Sequence, residues 1–494
     1  MGLSAEIERT LRTVLPTDMH GHAGQLAAVL DNLVRASESN GRYPASTPDP
    51  SLLGALAGRA LRFSDAQIVF GPGAQTGDVT IGNVAGRDVV TVNIYTGELR
   101  PATPFVHRPA TLYLSTTAPA SPQVAGLARR LRLRGLPVAS TPSTTSANTQ
   151  TPLESAAVCL LHVTAARLKN RAAFDQDVKR IRDESQRRHL PVLVLRDSLT
   201  TRRLYPSLRP DQLGWVECEV GEAVTQLDQV AAQALQVTLL SRAASLINAG
   251  VLDMGFYTGA PSNPDAIVPA LSLNWSELYA PQPPDPGPVR YPPPDEWREL
   301  LLPALDDLRF SLGHTSLRCI NLFAFARLAA CVALGYSFRS VAGLQFRLRQ
   351  GEGWWETAPH NSSLQPLDLV PLDATGDSPD LILELNVTSP RGKLSRDVSH
   401  YLETSGLAVG QRIALERPPP IGNQIDAADA QAIASQVRTV LQQYSRPGGV
   451  NHLFMAAPFG LALMIGWHLN TLTPVQCYEL PQGGGAYLPA CRIT

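Results

Sequence analysis

The sequence predicts an α/β protein, with two related β–α–β halves at its end preceded by a parallel, flavodoxin-like domain and a small helical N-terminal domain. Three observations carry this. Asn451–Leu480 reads as an apolar strand (His452–Ala457), a helix apolar nearly all round (Phe459–Leu469) and a second strand (Val475–Leu480). Cys319–Leu348 repeats the pattern, and its helix also ends on a glycine and an aromatic: Leu334-Gly335-Tyr336 against Ile465-Gly466-Trp467. Two such units imply two related halves in one domain. Pro109–Val220 then alternates strand-like and helix-like runs, as a doubly wound sheet does. A helix apolar on every face is either a membrane span or packed by protein on both sides. Leu453–Trp467 is short for a bilayer and holds a proline and glycines, so a buried core helix is expected and no membrane association.

Composition sets bounds. A chain of 494 residues predicts two to four domains, and 44% hydrophobic residues supply sizeable cores. A net charge of −1 excludes broad, non-specific DNA binding, while local charge can still hold a small anion. The six cysteines (Cys159, Cys218, Cys319, Cys331, Cys477, Cys491) form no CxxC pair, which fits reduced thiols rather than a disulfide framework or zinc site. The N-terminus lacks a basic-then-apolar export signal, so a cytoplasmic protein is expected.

Taken in order, residues 1–62 read as a small helical domain. Ile7, Leu11 and Leu15, then Leu26, Val29, Leu30, Leu33 and Val34, recur at helical spacing. A bundle this small has little room for a catalytic cleft, so an adaptor role toward a separate effector is the natural expectation. Asp18-Met19-His20-Gly21-His22 lacks partners at metal-ligand spacing and reads as a loop; no metal site is expected. Residues 63–104 form a Gly-rich β connector: Gln67–Phe70, Val79–Ile81 and Val89–Tyr95 alternate branched apolar and polar residues. Gly71-Pro72-Gly73 starts no GxGxxG and no helix follows, so it is not a phosphate loop.

Residues 105–235 give strands at Leu112–Ser115, from Leu136, and at Val158–Val163, Pro191–Arg196 and Trp215–Val220, with helices Val124–Arg134 and Phe174–Arg188. This is a parallel, flavodoxin-like order, with functional loops at the strands' carboxyl ends. The region resembles a TIR domain. Tyr113-Leu114-Ser115 matches that family's first strand, Ser155–Thr164 its third, and Phe174–Val178 the helix carrying an aromatic and a catalytic Glu. The resemblance implies NAD cleavage with Asp177, Phe174 and Ser115 as the catalytic set and NAD as substrate. Here the carboxylate is Asp177, one methylene shorter, and a displacement near ~1 Å costs about a hundredfold in rate. The competing account makes Asp177 a solvated helix charge beside Lys179, Arg180 and Asp183.

Residues 236–494 form the last domain, entered by helix Gln226–Leu246. Leu273-Asn274-Trp275 reads as a strand, the proline-dense Pro281–Pro294 as an extended surface segment, and Trp297–Leu312 as an amphipathic helix. Leu383–Val387 is a strand and Asp426–Tyr444 a helix. The segment resembles a SAVED domain, on His452-Leu453-Phe454, Ala457-Pro458, Leu461-Ala462, Gly466–Asn470, Tyr478-Glu479 and Tyr487-Leu488-Pro489, with Trp297, Gly335, Trp354-Trp355 and Leu383–Thr388 upstream. The resemblance implies two fused CARF-like (Rossmann-like) halves and a cyclic oligonucleotide, cyclic oligoadenylate-like, as activating ligand. The messenger would come from a partner nucleotidyltransferase or a CRISPR polymerase, in antiphage defence. No permanently bound cofactor is expected.

Such a ligand needs amide and hydroxyl donors for phosphates and aromatic faces for bases. Three strand-end turns offer them: Thr388-Ser389-Pro390-Arg391-Gly392-Lys393; Pro458, Phe459 and Gly460; and the repeat mate containing Phe323 and Arg327. Trp354 and Trp355 offer stacking surfaces. Thr388-Ser389 equally reads as a helix cap, Phe459 and Phe323 equally as core, and one of the two tryptophans should point inward. Two functions follow as expectations. In one, the messenger drives homo-oligomeric assembly that activates the TIR-like domain to hydrolyse NAD. In the other, the chain is a non-enzymatic sensor that recruits an effector through its N-terminal domains.

Overall fold

The computed structural model describes four short strands within residues 61–94. From 111 to 494 it describes all residues except 117–121, 141–151, 197–207, 209, 220–223, 249, 260–268, 281–288, 340–342, 351–352, 358–365, 418–424, 470–472 and 482–484. The helices expected in 1–62, with Asp18, His20 and His22, lie outside the described residues. The chain divides into two compact units, Met1–Thr103 and Pro104–Thr494. In the first, β1 (Leu61–Phe63), β2 (Ala66–Ile68), β3 (Val79–Ile81) and β4 (Thr91–Ile94) pair in the order β1-β2-β4-β3.

The second unit opens with β5 (Leu112–Ser115), β6 (Val138–Ser140), β7 (Val158–Val163), β8 (Val192–Arg196) and β9 (Val216–Glu219). Their order is β6-β5-β7-β8-β9 and every pair is parallel. Strands this apolar are covered on both faces. Helix α1 (Pro122–Leu133) lies on one face and α2 (Arg171–Arg188), through Phe174, Val178 and Ile181, on the other. Helix α3 (Val224–Leu246) comes next, and the division drawn from sequence at 235/236 falls inside it. Leu227, Val230, Ala231, Ala234, Leu235 and Leu239 are buried at helical spacing, and α3 packs on α1 and on α4 (Leu302–Gly313).

The five-stranded domain is thereby welded to the remainder of the unit. One continuous core runs from Leu112 to Ile493. Gly135, at φ +84°, turns the chain between α1 and β6, and a Cβ there would lie 2.9 Å from the Leu271 side chain. Trp275, fully buried, donates its indole N–H to the Leu133 carbonyl at 2.9 Å. Arg134, 0% exposed, donates to Asp307 at 2.6 Å and to Asp228 at 3.1 Å.

Two lobes complete the unit. In the first, β10 (Ile247–Asn248), β11 (Val251–Tyr257), β12 (Leu271–Asn274), β13 (Cys319–Phe325), β14 (Gln345–Gln350) and β15 (Gly353–Glu356) form one sheet. In the second, β16 (Asp368–Leu372), β17 (Leu381–Asn386), β18 (Gln411–Glu416), β19 (Asn451–Ala456), β20 (Val475–Glu479) and β21 (Leu488–Ile493) run in the order β16-β18-β17-β19-β20-β21. Both have a parallel centre: β12-β11-β13-β14 in one, β18-β17-β19-β20 in the other. Each carries an antiparallel edge strand after it, β15 and β21.

Helices α5 (Leu328–Ser337) and α8 (Phe459–His468) follow β13 and β19 and are buried almost all round because they pack on each other. Helix α6 (Lys393–Ser405) covers the outer face of the second sheet with Leu394, Val398 and Leu402 against Ile382, Phe454 and Tyr478. Helix α7 (Ala427–Tyr444) enters β19 as α4 enters β13. The start of the helix expected at Trp297–Leu312 is a π turn, Trp297–Leu301, continued by α4.

Candidate functional site

Both lobes turn at the carboxyl ends of their central parallel strands, where doubly wound sheets hold ligands. In the second lobe, Val387 and Thr388 donate backbone N–H groups to the Ala456 carbonyl at 2.8 and 3.0 Å. That seam brings Thr388 and Ser389 beside Pro458. Asn386, buried, accepts from the Ser389 amide at 3.1 Å and donates to the Pro390 carbonyl at 3.2 Å. Gly392 donates its amide to Glu416 at 2.9 Å. Arg391 pairs with Glu416 and Asp368 at 3.0 and 3.5 Å, and Lys393 with Asp397 at 2.7 Å. These two cations are about half exposed; the surface pair Lys393–Asp397 is worth ~0–1 kcal/mol, while Arg391 also neutralises the buried Glu416.

The first lobe repeats the seam. Thr258 donates its amide to the Phe325 carbonyl at 3.1 Å, and its buried hydroxyl accepts from the Arg327 amide at 2.9 Å. The Arg327 guanidinium stacks over Tyr291 at 5.2 Å. Arg327 precedes α5 in the extended conformation that Pro458 adopts before α8. Leu328 is therefore the counterpart of Phe459, which lies half-buried against the common core. Phe323 stands two residues earlier than the turn, on the sheet's outer face, with its ring 5.6 Å from Trp354. Trp354 shares that face, with Arg347 and Arg349 over its ring at 5.5 and 5.7 Å. Trp355 points inward, and a Cβ on Gly460 would lie 2.9 Å from it.

The two turns meet through the helix crossing. Gly460, in the first turn of α8, sits against Leu348, Gln350 and Trp355 of the first lobe. Ala329, in the first turn of α5, donates its amide to Glu479 Oε1 of the second lobe at 2.8 Å. Each helix start thus rests on the other lobe's strand end. Thr388 reaches the strand end before Pro458 through Ala456, Arg391 and Lys393 stay with Glu416, Asp368 and Asp397, and Arg327 stands at the matching turn of the first lobe. Phe323 and Trp354 form a separate pair on the outer face.

A second constellation lies at the carboxyl ends of β5 and β7. The strand order reverses there, which makes it the crevice that flavodoxin-like sheets offer to ligands. Ser115 donates its hydroxyl to Asp177 at 2.7 Å. Arg167 follows β7 on the one-turn helix Ala165–Leu168, which Thr164 caps at 3.0 Å. Its guanidinium donates to the Ser115 and His162 carbonyls, both at 2.7 Å, to the Ser115 hydroxyl at 2.5 Å and to the Asp177 carboxylate. It also stacks on Phe174 at 5.1 Å. Burial depresses the Arg167 pKa and the Asp177 carboxylate opposes that. Ser115, Phe174 and Asp177 are therefore brought together, around a buried cation. Burial holds the nearby Cys159 thiol far above its ordinary range. No group of three His, Cys, Asp or Glu side chains suited to a metal exists among the described residues. No helix among them is long and apolar enough to cross a membrane.

Sequence reasoning missed Thr258 and Arg167. A signal for the first exists: Thr258 stands 130 positions before Thr388, each just past an apolar strand, but Asp253 and Gly255 interrupt Val251–Tyr257 and hide that strand. Nothing local marks Arg167, whose partners lie on three other elements.

Residues 301–493 match the family described as SAVED, the SMODS-associated and fused to various effectors sensor domain. Among solved structures, the chain is similar to the Acinetobacter baumannii Cap4 SAVED/CARF-domain containing receptor with the cyclic trinucleotide 3'3'3'-cAAA. The identity is 13%, the coverage 67% of this chain and 86% of that one, and the TM-score 0.40. The Moraxella osloensis Cap4 receptor is 12% identical, with 70% and 82% covered and a TM-score of 0.38. No curated protein matches the chain significantly in sequence.

Proposed function

We propose, from the premise that residues 301–493 form a SAVED domain, that this chain senses a cyclic oligonucleotide messenger in antiphage defence and relays its binding without being an enzyme itself. The turn at Thr388–Lys393 supplies an exposed hydroxyl and two half-exposed cations beside the start of α8, and the turn before α5 adds Arg327, the chemistry that phosphates and riboses need. A separate effector is then recruited through the N-terminal domains. One observation supports the non-enzymatic form: Arg167, buried at the reversal of strand order, engages the Asp177 carboxylate. A carboxylate paired with a buried guanidinium is a weaker acceptor for ribose hydroxyls than a free one.

A second reading is favoured by the convergence of Ser115, Phe174 and Asp177. In it, messenger-induced homo-oligomeric assembly displaces Arg167 and a TIR-like domain hydrolyses NAD. Calorimetry of the full chain against cyclic di-, tri- and tetra-adenylates, with NAD followed in the same samples, tests both. Binding without NAD loss is expected. Binding with NAD loss abolished by Asp177→Asn establishes the second reading, and no binding to any ring removes both.

A further inference from the structure

A buried acid holds the start of α5 to the second lobe. Glu479 ends β20, is 5% exposed, and accepts the Ala329 amide at 2.8 Å. Its surroundings offer little to a negative charge. Arg327 faces it from the turn before α5, but that guanidinium stacks on Tyr291. The other groups around it are Cys331 on α5, Cys477 on β20 itself, Cys491 on β21, Tyr487, and Tyr279 on the one-turn helix Ser276–Tyr279. The Tyr279 hydroxyl is buried and makes no hydrogen bond. The pseudo-equivalent place in the first lobe holds a neutral amide, Gln350, beside Gly460 at the start of α8.

We propose that Glu479 is a proton-controlled latch between the lobes: neutral, it keeps the start of α5 seated on the second lobe, and ionised, it favours separation of the two. A carboxylate this buried ionises more easily where opening of the seam admits water, so ionisation and opening are linked. Burial, the largest influence, raises its pKa to about 7, placing the change within the physiological range. A carboxyl whose folded pKa lies above its unfolded value loses stabilising effect as pH rises from about 4.5 toward 7, and changes little beyond.

The latch lies beneath Arg327, yet its test needs no messenger. The full chain and Glu479→Gln, which keeps an acceptor for Ala329 but cannot ionise, are unfolded in urea between pH 5 and pH 8. The wild-type unfolding constant is expected to rise on the order of 100-fold more than that of the variant over this range. Parallel profiles overturn the proposal. If the variant does not fold, hydrogen exchange of amides 328–334 in the wild-type chain decides. After correction for intrinsic rates, opening is expected to be roughly tenfold more frequent at pH 8 than at pH 6. Equal protection overturns it.

Discussion

Gly335 and Gly466 occupy matching positions on two crossing helices, each pressed against the other helix's backbone. A Cβ on Gly335 would lie 2.1 Å from the Leu463 carbonyl oxygen, and one on Gly466 would lie 2.1 Å from that of Val332. The contacts are reciprocal because the two lobes are related by pseudo-symmetry. Gly335→Ala therefore forces the helices apart. Overpacking of this kind costs ~1–3 kcal/mol or more, exceeding the ~1 kcal/mol that alanine gains in helix propensity. Thermal denaturation should show a lowered Tm for Gly335→Ala and Gly466→Ala. Gly313→Ala on α4, where nothing lies within 4 Å, should be neutral or stabilising.

Arg134 joins the five-stranded domain to the first lobe through Asp228 and Asp307 with no exposure of its own. Burial raises the Asp307 pKa and Arg134 opposes that, so the carboxylate depends on this partner. Arg134→Met keeps much of the volume but removes the guanidinium from Asp307, while Asp228 keeps Arg130 at 3.0 Å. Breaking a buried pair in this way costs ~3–5 kcal/mol. A Tm loss several times that of Arg298→Met, whose pairs are exposed, is the expected result.

Elements with a strong period are legible from sequence. The apolar helices α5 and α8 and the strands before them announce themselves, and the twin glycine–aromatic endings mark the two as counterparts. Strand β11 is not legible, because Asp253, Gly255 and Tyr257 face away from the core and break the apolar run. The turns at Thr388 and Pro458 follow from strand-end logic. The glycine–aromatic endings set the register, Gly335 to Gly466, and the helix bounds keep it by matching Phe459 with Leu328, while Phe323 falls within β13, ahead of the turn. Ion pairs such as Arg167–Asp177 depend on side-chain directions across several elements, which no local pattern encodes.

His468 ends α8, where its Nε2 meets the Gln431 amide oxygen at 3.2 Å, and Gln431 in turn donates to the Glu356 carbonyl. Burial, aided by Arg438, pushes its pKa down to about 4. A histidine depressed in the folded state favours folding above the unfolded pKa near 6.5, and that contribution is lost as pH falls toward about 4. The upper bound is ~3 kcal/mol. His468→Gln should flatten the fall in stability between pH 7 and pH 4.5 measured by urea denaturation. An unchanged slope would place the acid sensitivity elsewhere.

The Arg167–Asp177 pair distinguishes structure from catalysis by its energetics. If the pair is structural, Arg167→Met removes the buried partner of Asp177, which keeps Ser115 and Arg180, and also empties the site that Arg167 occupies against two carbonyls and Phe174, costing ~2–4 kcal/mol. Asp177→Asn strands the guanidinium, which keeps its two backbone carbonyls and Phe174, and costs less, ~1–3 kcal/mol. The double variant removes both charges, so its loss should fall short of the sum by ~1–3 kcal/mol. Thermal and urea denaturation of the four chains give this coupling, and NAD is expected to stay untouched in all of them with messenger present. Additive losses would mean that Asp177 stands free of Arg167 in solution. That outcome, joined to NAD loss in the wild-type chain alone, would return the carboxylate to a catalytic role.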